Sequence, residues 1–182
     1  MQIERDSKLE LSRRLRLDRV PPAGASLDIE AGAGERAALV RRFAVLDILE
    51  LKAQVNLIAE GGGRWQVSGR LQATVVQACG ITLDPVEQRI DEVFNLRFAP
   101  PAEAVDDDTG ELIVGADAPE PLDSDALDLG EIVADQFGLA LDPFPRKPGA
   151  QLADILPPDE PSAPNGPFAP LAALRRTGKD DA

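Results

Sequence analysis

A chain of 182 residues, 43% of them hydrophobic, is long enough to form one domain with a core. It has no run of about 18 apolar residues, so no membrane partner is expected. The absence of histidine removes the usual general base and metal ligand, and the single cysteine excludes an internal disulfide, which fits a cytoplasmic location. These features argue against an enzyme and predict neither a cofactor nor a small-molecule substrate.

The net charge of −13 is unevenly distributed along the chain. Residues 1–100 carry 14 basic and 14 acidic side chains, whereas residues 101–161 carry 2 basic and 16 acidic ones. Nucleic-acid binding rests on Lys and Arg side chains that neutralise phosphates, so a broad RNA-binding surface is not expected. A basic protein partner is electrostatically easier to bind. The acidic partner surface is predicted around Asp106, Asp107 and Asp108, in an acidic loop at about 100–124.

The first hundred residues begin with two predicted strands and a helix. Apolar and polar residues alternate over residues 9–17, which predicts a strand with Arg14 and Arg16 on its polar side. Residues 26–30 predict a second, shorter strand. Over residues 34–46 the apolar residues recur every three or four positions, which predicts an amphipathic helix of about three turns.

The stretch from residue 49 to residue 98 predicts an antiparallel meander of three strands. Alternation in the first strand places Leu49 and Ala59 at the two ends of its inward face. Glycine-containing breaks at residues 61–63 and 80–85 provide the two turns. In the third strand the apolar face moves to even-numbered positions. The arginines that this alternation places on the outward face are Arg64, Arg70, Arg89 and Arg97.

After the acidic loop, the pattern predicts a second helix over residues 126–137, capped by Ser124 or Asp125 and stopped by Gly138. Nine of the 16 prolines fall in the last 40 residues, which predicts an irregular tail. The expected organisation is one α+β domain over residues 1–142, with two helices flanking a meander that can curl toward a half-barrel, and a Pro-rich tail over residues 143–182.

A short apolar segment interrupts the tail. Phe168, Leu171 and Leu174 would share one face of a helical turn. Such a face can dock into a groove on a partner, as amphipathic helices do. Packing against the chain's own sheet is the equal alternative.

Four stretches of the sequence resemble the YceD family, the large ribosomal RNA subunit accumulation proteins of bacteria and plastids. They are LSRRLRLDRVP, ERAALVRRFAVLDI, GRLQATVVQACGITLDPVEQRIDEVFNLRFAP and DALDLGEIVADQFGLALDPFPRKPGA, and the ending NGPFAPLAALRR is also similar. The resemblance implies a role in the synthesis, processing or stability of large-subunit (23S) ribosomal RNA, with no established enzymatic activity. Many members carry Cys-x-x-Cys where this chain has Cys79 and Thr82, so a four-ligand zinc site is not available in one chain.

Two functional hypotheses follow, and both make the large-subunit precursor the partner, through its RNA, its basic proteins or both. The first is a non-enzymatic ribosome-biogenesis factor that contacts precursor RNA. Its candidate contacts are the outward arginines Arg14, Arg16, Arg64, Arg70, Arg89 and Arg97. The alternative is an acidic interaction module or chaperone for a basic ribosomal protein. An enzyme would remain possible only if pairs of acidic residues acted on a bound metal.

Overall fold

The computed structural model describes residues 3–4, 9–101, 118–122 and 124–151. Its strands are β1 (Ile3–Glu4), β2 (Arg14–Arg16), β3 (Ala25–Glu30), β4 (Asp47–Gly61), β5 (Arg64–Ala78), β6 (Pro85–Ala99), β7 (Glu120–Pro121) and β8 (Ala126–Asp128). Its helices are α1 (Ala33–Phe43) and α2 (Leu129–Ala140), and Leu17–Arg19 form one turn of 3-10 helix.

The strands form two sheets. The larger sheet has the order β3-β4-β5-β6-β7, and all its pairs are antiparallel except β6 with β7. The smaller sheet has the order β1-β2-β8 and is antiparallel throughout. The α+β class and the antiparallel meander are therefore confirmed. Over the described residues, the larger sheet is open and does not close into a barrel.

One face of the larger sheet supplies the core. Leu51 pairs with Ala73, which pairs with Ile90, and all three side chains are buried. The next apolar layer depends on a glycine, since a Cβ atom on Gly69 would lie 2.6 Å from the ring of its cross-strand partner Phe94. The absence of a side chain at this position is what allows the ring to lie across β5. Both helices pack on this face, joined by the edge-to-face ring pair of Phe43 and Phe137.

The ends of β4 depart from simple alternation. Ile48 pairs with Val75 and Glu50 pairs with Thr74, so Leu49 has no partner and forms a β-bulge. The extra residue rotates the strand, so Ile48 is buried and Leu49 is 49% exposed. The prediction that Leu49 points inward was wrong for this reason. Ala59 keeps the inward register but is exposed, next to the turn that joins β4 to β5.

Both helices have boundaries that differ from those predicted. Helix α1 ends at Phe43, where Ala44 adopts a left-handed conformation. Helix α2 begins three residues later than expected because the residues before it form β8, which pairs with β2. Its N-cap is Asp128, and neither Ser124 nor Asp125 takes that role. Gly138 does not stop the helix, which continues to Ala140.

The chain divides into two units between Lys147 and Pro148. The predicted division at residue 142 stays a prediction. Several predictions lie outside the described residues, namely the acidic surface at Asp106, Asp107 and Asp108 and the docking segment at Phe168, Leu171 and Leu174. No helix in the described part of the chain has the length and apolar character needed to cross a membrane.

Candidate nucleic-acid interface

A buried arginine joins four separate segments of the chain. The guanidinium of Arg13 donates to both carboxylate oxygens of Glu35, at 2.7 and 3.1 Å. It also donates to the carbonyl oxygens of Ser12 at 2.7 Å and Glu30 at 3.2 Å. The guanidinium therefore finds its hydrogen-bond partners within the protein, as a buried charged group must. We call Ser12, Arg13, Glu35, Asp128 and Gly130 the Arg13 junction.

The other half of this junction is the start of α2. One carboxylate oxygen of Asp128 accepts from the backbone N–H groups of Gly130, Glu131 and Arg13, the last at 2.6 Å. The other accepts from the Ser12 hydroxyl. A Cβ atom on Gly130 would lie 2.8 Å from the backbone nitrogen of Arg13, so only glycine allows the two backbones to approach this closely. The junction therefore shortens β2 and fixes where α2 begins.

Sequence reasoning did not single out Arg13, although a signal was present. In the alternation of residues 9–17, Arg13 occupies the apolar register, between Leu11 and Leu15. An arginine in that register must either break the strand or find an internal acidic partner. The stretches LSRR, ERAA and LDLGE of the sequence meet here, so their first role is to hold the fold together.

The six candidate arginines are divided between the two sheets. Arg14 and Arg16 lie on β2 of the smaller sheet. Their guanidinium groups approach the carboxylate of Asp125, at 3.9 and 3.5 Å. Arg16 also donates two hydrogen bonds to Asp18, and this hydrogen bonding lowers the pKa of that carboxyl. Both arginines are exposed enough to meet a ligand, but acids of the same chain already face them.

The other four candidates lie on the outward face of the larger sheet, and Arg70, Arg89 and Arg97 each lie near an acidic side chain. Arg70 donates two hydrogen bonds to Asp91, at 2.6 and 2.7 Å. This hydrogen bonding raises the pKa of Arg70 and lowers the pKa of Asp91. Arg89 lies 3.6 Å from Glu87, and Arg97 lies 4.0 Å from a carboxylate oxygen of Glu60. Arg64 is exposed at the first residue of β5.

Neither spacing nor net charge makes this face a strongly cationic surface. Arg89 lies opposite Thr74, while Arg97 lies opposite Gln66. Arg70 lies halfway between Gln66 and Thr74 on β5, and the rise per residue of a β-strand gives about 13 Å along the strand to each of them. The basic residues on this face are Lys52, Arg64, Arg70, Arg89 and Arg97, against the acidic residues Asp28, Glu30, Asp47, Glu50, Glu60, Glu87 and Asp91. RNA contact by the six arginines stays a prediction.

A second site lies at the end of the β5–β6 hairpin. The turn at residues 79–84 packs against residues 142–147, which follow α2, and we call these two segments the loop tip. The backbone N–H of Gly80 donates to the carbonyl of Pro145 at 2.8 Å. The ammonium of Lys147 donates to the carboxylate of Asp84 at 3.0 Å and lowers the pKa of that carboxyl. Two segments that are distant in sequence thus form one surface.

The anchor of the loop tip is Cys79. Its Sγ accepts from the backbone N–H groups of Lys147 at 3.4 Å and of Ile81 and Thr82 at 3.5 Å. Hydrogen bonding by the backbone N–H of Lys147, followed by the side chain of Thr82 and the other two backbone N–H groups, lowers the pKa of the Cys79 thiol to about 6. The Cys79 side chain is buried, and its thiol is a hydrogen-bond acceptor that joins the two loops. Within the described residues, no group of three or more His, Cys, Asp or Glu side chains could hold a metal ion.

The acidic segment is partly engaged inside the protein. Asp125 faces Arg14 and Arg16 on the smaller sheet. On α2, Glu131 and Asp135 accept hydrogen bonds from Arg42 of α1, at 2.8 and 2.7 Å. Part of the acidity that the sequence assigns to a partner surface therefore neutralises arginines of the first hundred residues.

The sequence profile of one family, described as large ribosomal RNA subunit accumulation protein YceD, matches residues 67–175. The match covers more than half of the chain. The chain belongs to the YceD family. The matched range begins inside β5 and includes β6, α2 and every residue of the loop tip, while the buried arginine of the Arg13 junction lies before it. No curated protein and no solved structure gives a significant match.

Proposed function

We propose that this chain is a non-enzymatic ribosome-biogenesis factor that supports the synthesis, processing or stability of large-subunit (23S) ribosomal RNA. The observation that carries the proposal is the YceD family match over residues 67–175, since that family is described by large ribosomal RNA accumulation. The proposed partner is the large-subunit precursor, and the proposed place of action is the cytoplasm. No cofactor or small-molecule substrate is part of the proposal.

The ion pairs of the larger sheet rank its arginines as RNA contacts. An arginine can bind a phosphate only by leaving or sharing its carboxylate partner. Arg70 would give up a short bidentate pair with Asp91, which is the stronger kind of ion pair. The side chain of Arg89 is 86% exposed and its acid lies farther away, at 3.6 Å. We therefore propose that Arg89 contributes more to RNA affinity than Arg70 does.

The proposal is tested by deleting the gene for this chain in its host and measuring newly made large-subunit RNA relative to small-subunit RNA. The expected result is a lower ratio, restored by the full-length chain supplied from a plasmid. Pulse labelling followed by a chase separates synthesis from decay. An unchanged ratio in the deletion strain, under conditions of rapid growth, would contradict the proposal.

The acidic segment supports a second candidate function, as a module that binds a basic ribosomal protein. It rests on the 16 acidic and 2 basic side chains of residues 101–161. The test is capture of ribosomal proteins by the purified chain after nuclease treatment, compared with a variant in which Asp106, Asp107 and Asp108 are changed to Asn. Loss of capture in that variant would favour this function over RNA contact.

A further inference from the structure

The loop tip displays two large apolar side chains to solvent. Phe144 is 76% exposed and Leu83 is 75% exposed. Leu83 also has a φ of 62°, a left-handed conformation that is unfavourable for a residue with a Cβ atom. Exposed apolar side chains and a residue with a strained backbone are both costly for the isolated protein, and such features cluster at sites of recognition.

The backbone around Phe144 is fixed in place. Pro143 and Pro145 flank it, and proline restricts φ to a narrow range. The N–H of Phe144 donates to the carboxylate of Asp142 at 2.8 Å, and the carbonyl of Pro145 accepts from Gly80. The ring is therefore held outward by a rigid segment, so a ligand that covers it would cost little conformational entropy.

An exposed arginine lies two residues beyond this ring. Arg146 is exposed, and within the described part of the chain it has no ion pair and no hydrogen bond. Among the arginines of residues 9–101 and 118–151, only Arg41 on α1 shares this property. On the larger sheet, by contrast, Arg70, Arg89 and Arg97 each face a carboxylate. The positive charge of Arg146 is thus available to an external anion.

We propose that the loop tip binds an unpaired nucleotide of large-subunit ribosomal RNA, with the base stacked on Phe144 and the adjoining phosphate paired with Arg146. This inference rests on the proposed function and assigns it a surface. Aromatic rings that stack bases beside cations that meet phosphates are the usual means of binding single-stranded RNA. A basic protein would instead meet an unneutralised positive charge here. Duplex RNA keeps its bases stacked inside, so it offers no base to the ring.

The direct test measures the affinity of the full-length chain for fluorescently labelled oligouridine by anisotropy. Phe144→Ala should weaken binding about tenfold, within the range that loss of one base–aromatic stack gives. Arg146→Ala should weaken binding severalfold and reduce the slope of log K against log salt by about 0.7, as expected for one lost phosphate contact. Phe144→Trp should retain the affinity, because tryptophan also stacks on bases.

Two control variants show whether a loss of affinity is specific to the loop tip. They remove an exposed apolar side chain and an arginine from other parts of the surface. Leu139→Ala removes an apolar side chain on α2 that is 79% exposed, and Arg41→Ala removes the second arginine that has no ion pair within the described residues. Both should keep the affinity of the wild-type chain within about twofold, as changes outside a contact surface do. Equal losses for Phe144→Ala and Leu139→Ala, or equal affinity for an RNA duplex, would overturn the inference.

The same variants in the deletion strain distinguish this inference from the proposed function. Suppose that the wild-type chain restores large-subunit RNA and that a double variant carrying Phe144→Ala and Arg146→Ala does not. The inference and the proposed function are then both supported. If that double variant restores it fully, the loop tip is not the contact, although the proposed function stands. If the wild-type chain itself restores nothing, the proposed function fails. If the double variant keeps its affinity for oligouridine but no longer captures ribosomal proteins after nuclease treatment, the loop tip binds a protein. That result would overturn the inference.

Discussion

The Arg13 junction and the loop tip hold arginine in opposite environments. The side chain of Arg13 is 11% exposed, and its guanidinium donates to Glu35 and to two backbone carbonyls. Arg146 is exposed and has no ion pair within the described residues. Three arginines of the larger sheet, Arg70, Arg89 and Arg97, lie between these extremes, since each is exposed but faces an acid. The number of arginines therefore says little about an RNA-binding surface. The partners of each arginine show whether its charge is used inside the protein or can meet a phosphate.

The largest expected effect is on the stability of the Arg13 junction. Arg13→Ala leaves the carboxylate of Glu35 without its bidentate partner, and we expect a loss of about 3 kcal/mol in the free energy of unfolding. Urea denaturation followed by circular dichroism measures it. Arg41→Ala, at an exposed side chain that has no ion pair in the described part of the chain, should change stability by less than about 0.5 kcal/mol. Similar losses for the two variants would remove the distinction between structural and available arginines.

A glycine substitution tests the same junction through its backbone. Gly130→Ala should lower the free energy of unfolding by about 2 kcal/mol, because its Cβ atom would meet the backbone of Leu11 and Arg13 at 2.8 Å. Gly34→Ala is the matched control, since nothing lies within 4 Å of a Cβ atom there. In that position alanine should raise stability by about 0.5 kcal/mol through its better helix propensity. The two variants should therefore change the thermal midpoint in opposite directions, and stabilisation by both would contradict the close approach.

The loop tip should respond to pH through Cys79. Its pKa is about 6 in the folded chain against an ordinary value of 9.0, so folding favours the thiolate. This contribution to stability is complete above pH 9.0 and is lost as the pH falls through about 6. The free energy of unfolding should therefore rise between these two pH values more steeply for the wild-type chain than for Cys79→Ala. Parallel curves for the two proteins would show that the thiol is not held as a thiolate.

The smallest expected effect compares two arginines of the larger sheet. Arg89→Ala should weaken binding of oligouridine about twofold to threefold, as for one solvent-exposed phosphate contact. Arg70→Ala should change it by less, since the bidentate pair with Asp91 already neutralises that guanidinium. Anisotropy titrations at low salt are sensitive enough to separate the two. A larger loss for Arg70→Ala would mean that RNA displaces Asp91 and that the ranking by ion pairs is wrong.

The meander was predictable because alternation in its strands is regular over most of their length. The same alternation correctly placed Arg64, Arg70, Arg89 and Arg97 on the outward face. It could not reveal the bulge at Leu49, since Ile48 and Leu49 are both apolar and either could point inward. The start of α2 was missed for a different reason, because β8 pairs with a strand from the other end of the chain.

The ion pairs of the site could not be predicted, because they join residues that are distant in sequence and no local sequence pattern indicates them. Arg70 does not bind the residue directly opposite it, Val93, but its diagonal neighbour Asp91. The loop tip joins Asp84 to Lys147, which are 63 residues apart in sequence. Phe144 lies in the segment that takes part in this long-range contact, and the proline-rich sequence at the predicted start of the tail gave no reason to place a binding surface there.

The central claim, that this chain acts on large-subunit ribosomal RNA, is tested most directly by ultraviolet crosslinking in growing cells followed by affinity purification and sequencing of the bound RNA. We expect large-subunit precursor RNA to be enriched over small-subunit RNA, and we expect nuclease to release the co-purified ribosomal proteins. We also expect that Phe144→Ala lowers the crosslinking yield while Leu139→Ala does not. Ribosomal proteins that remain bound after nuclease, with no large-subunit RNA above background, would contradict the account.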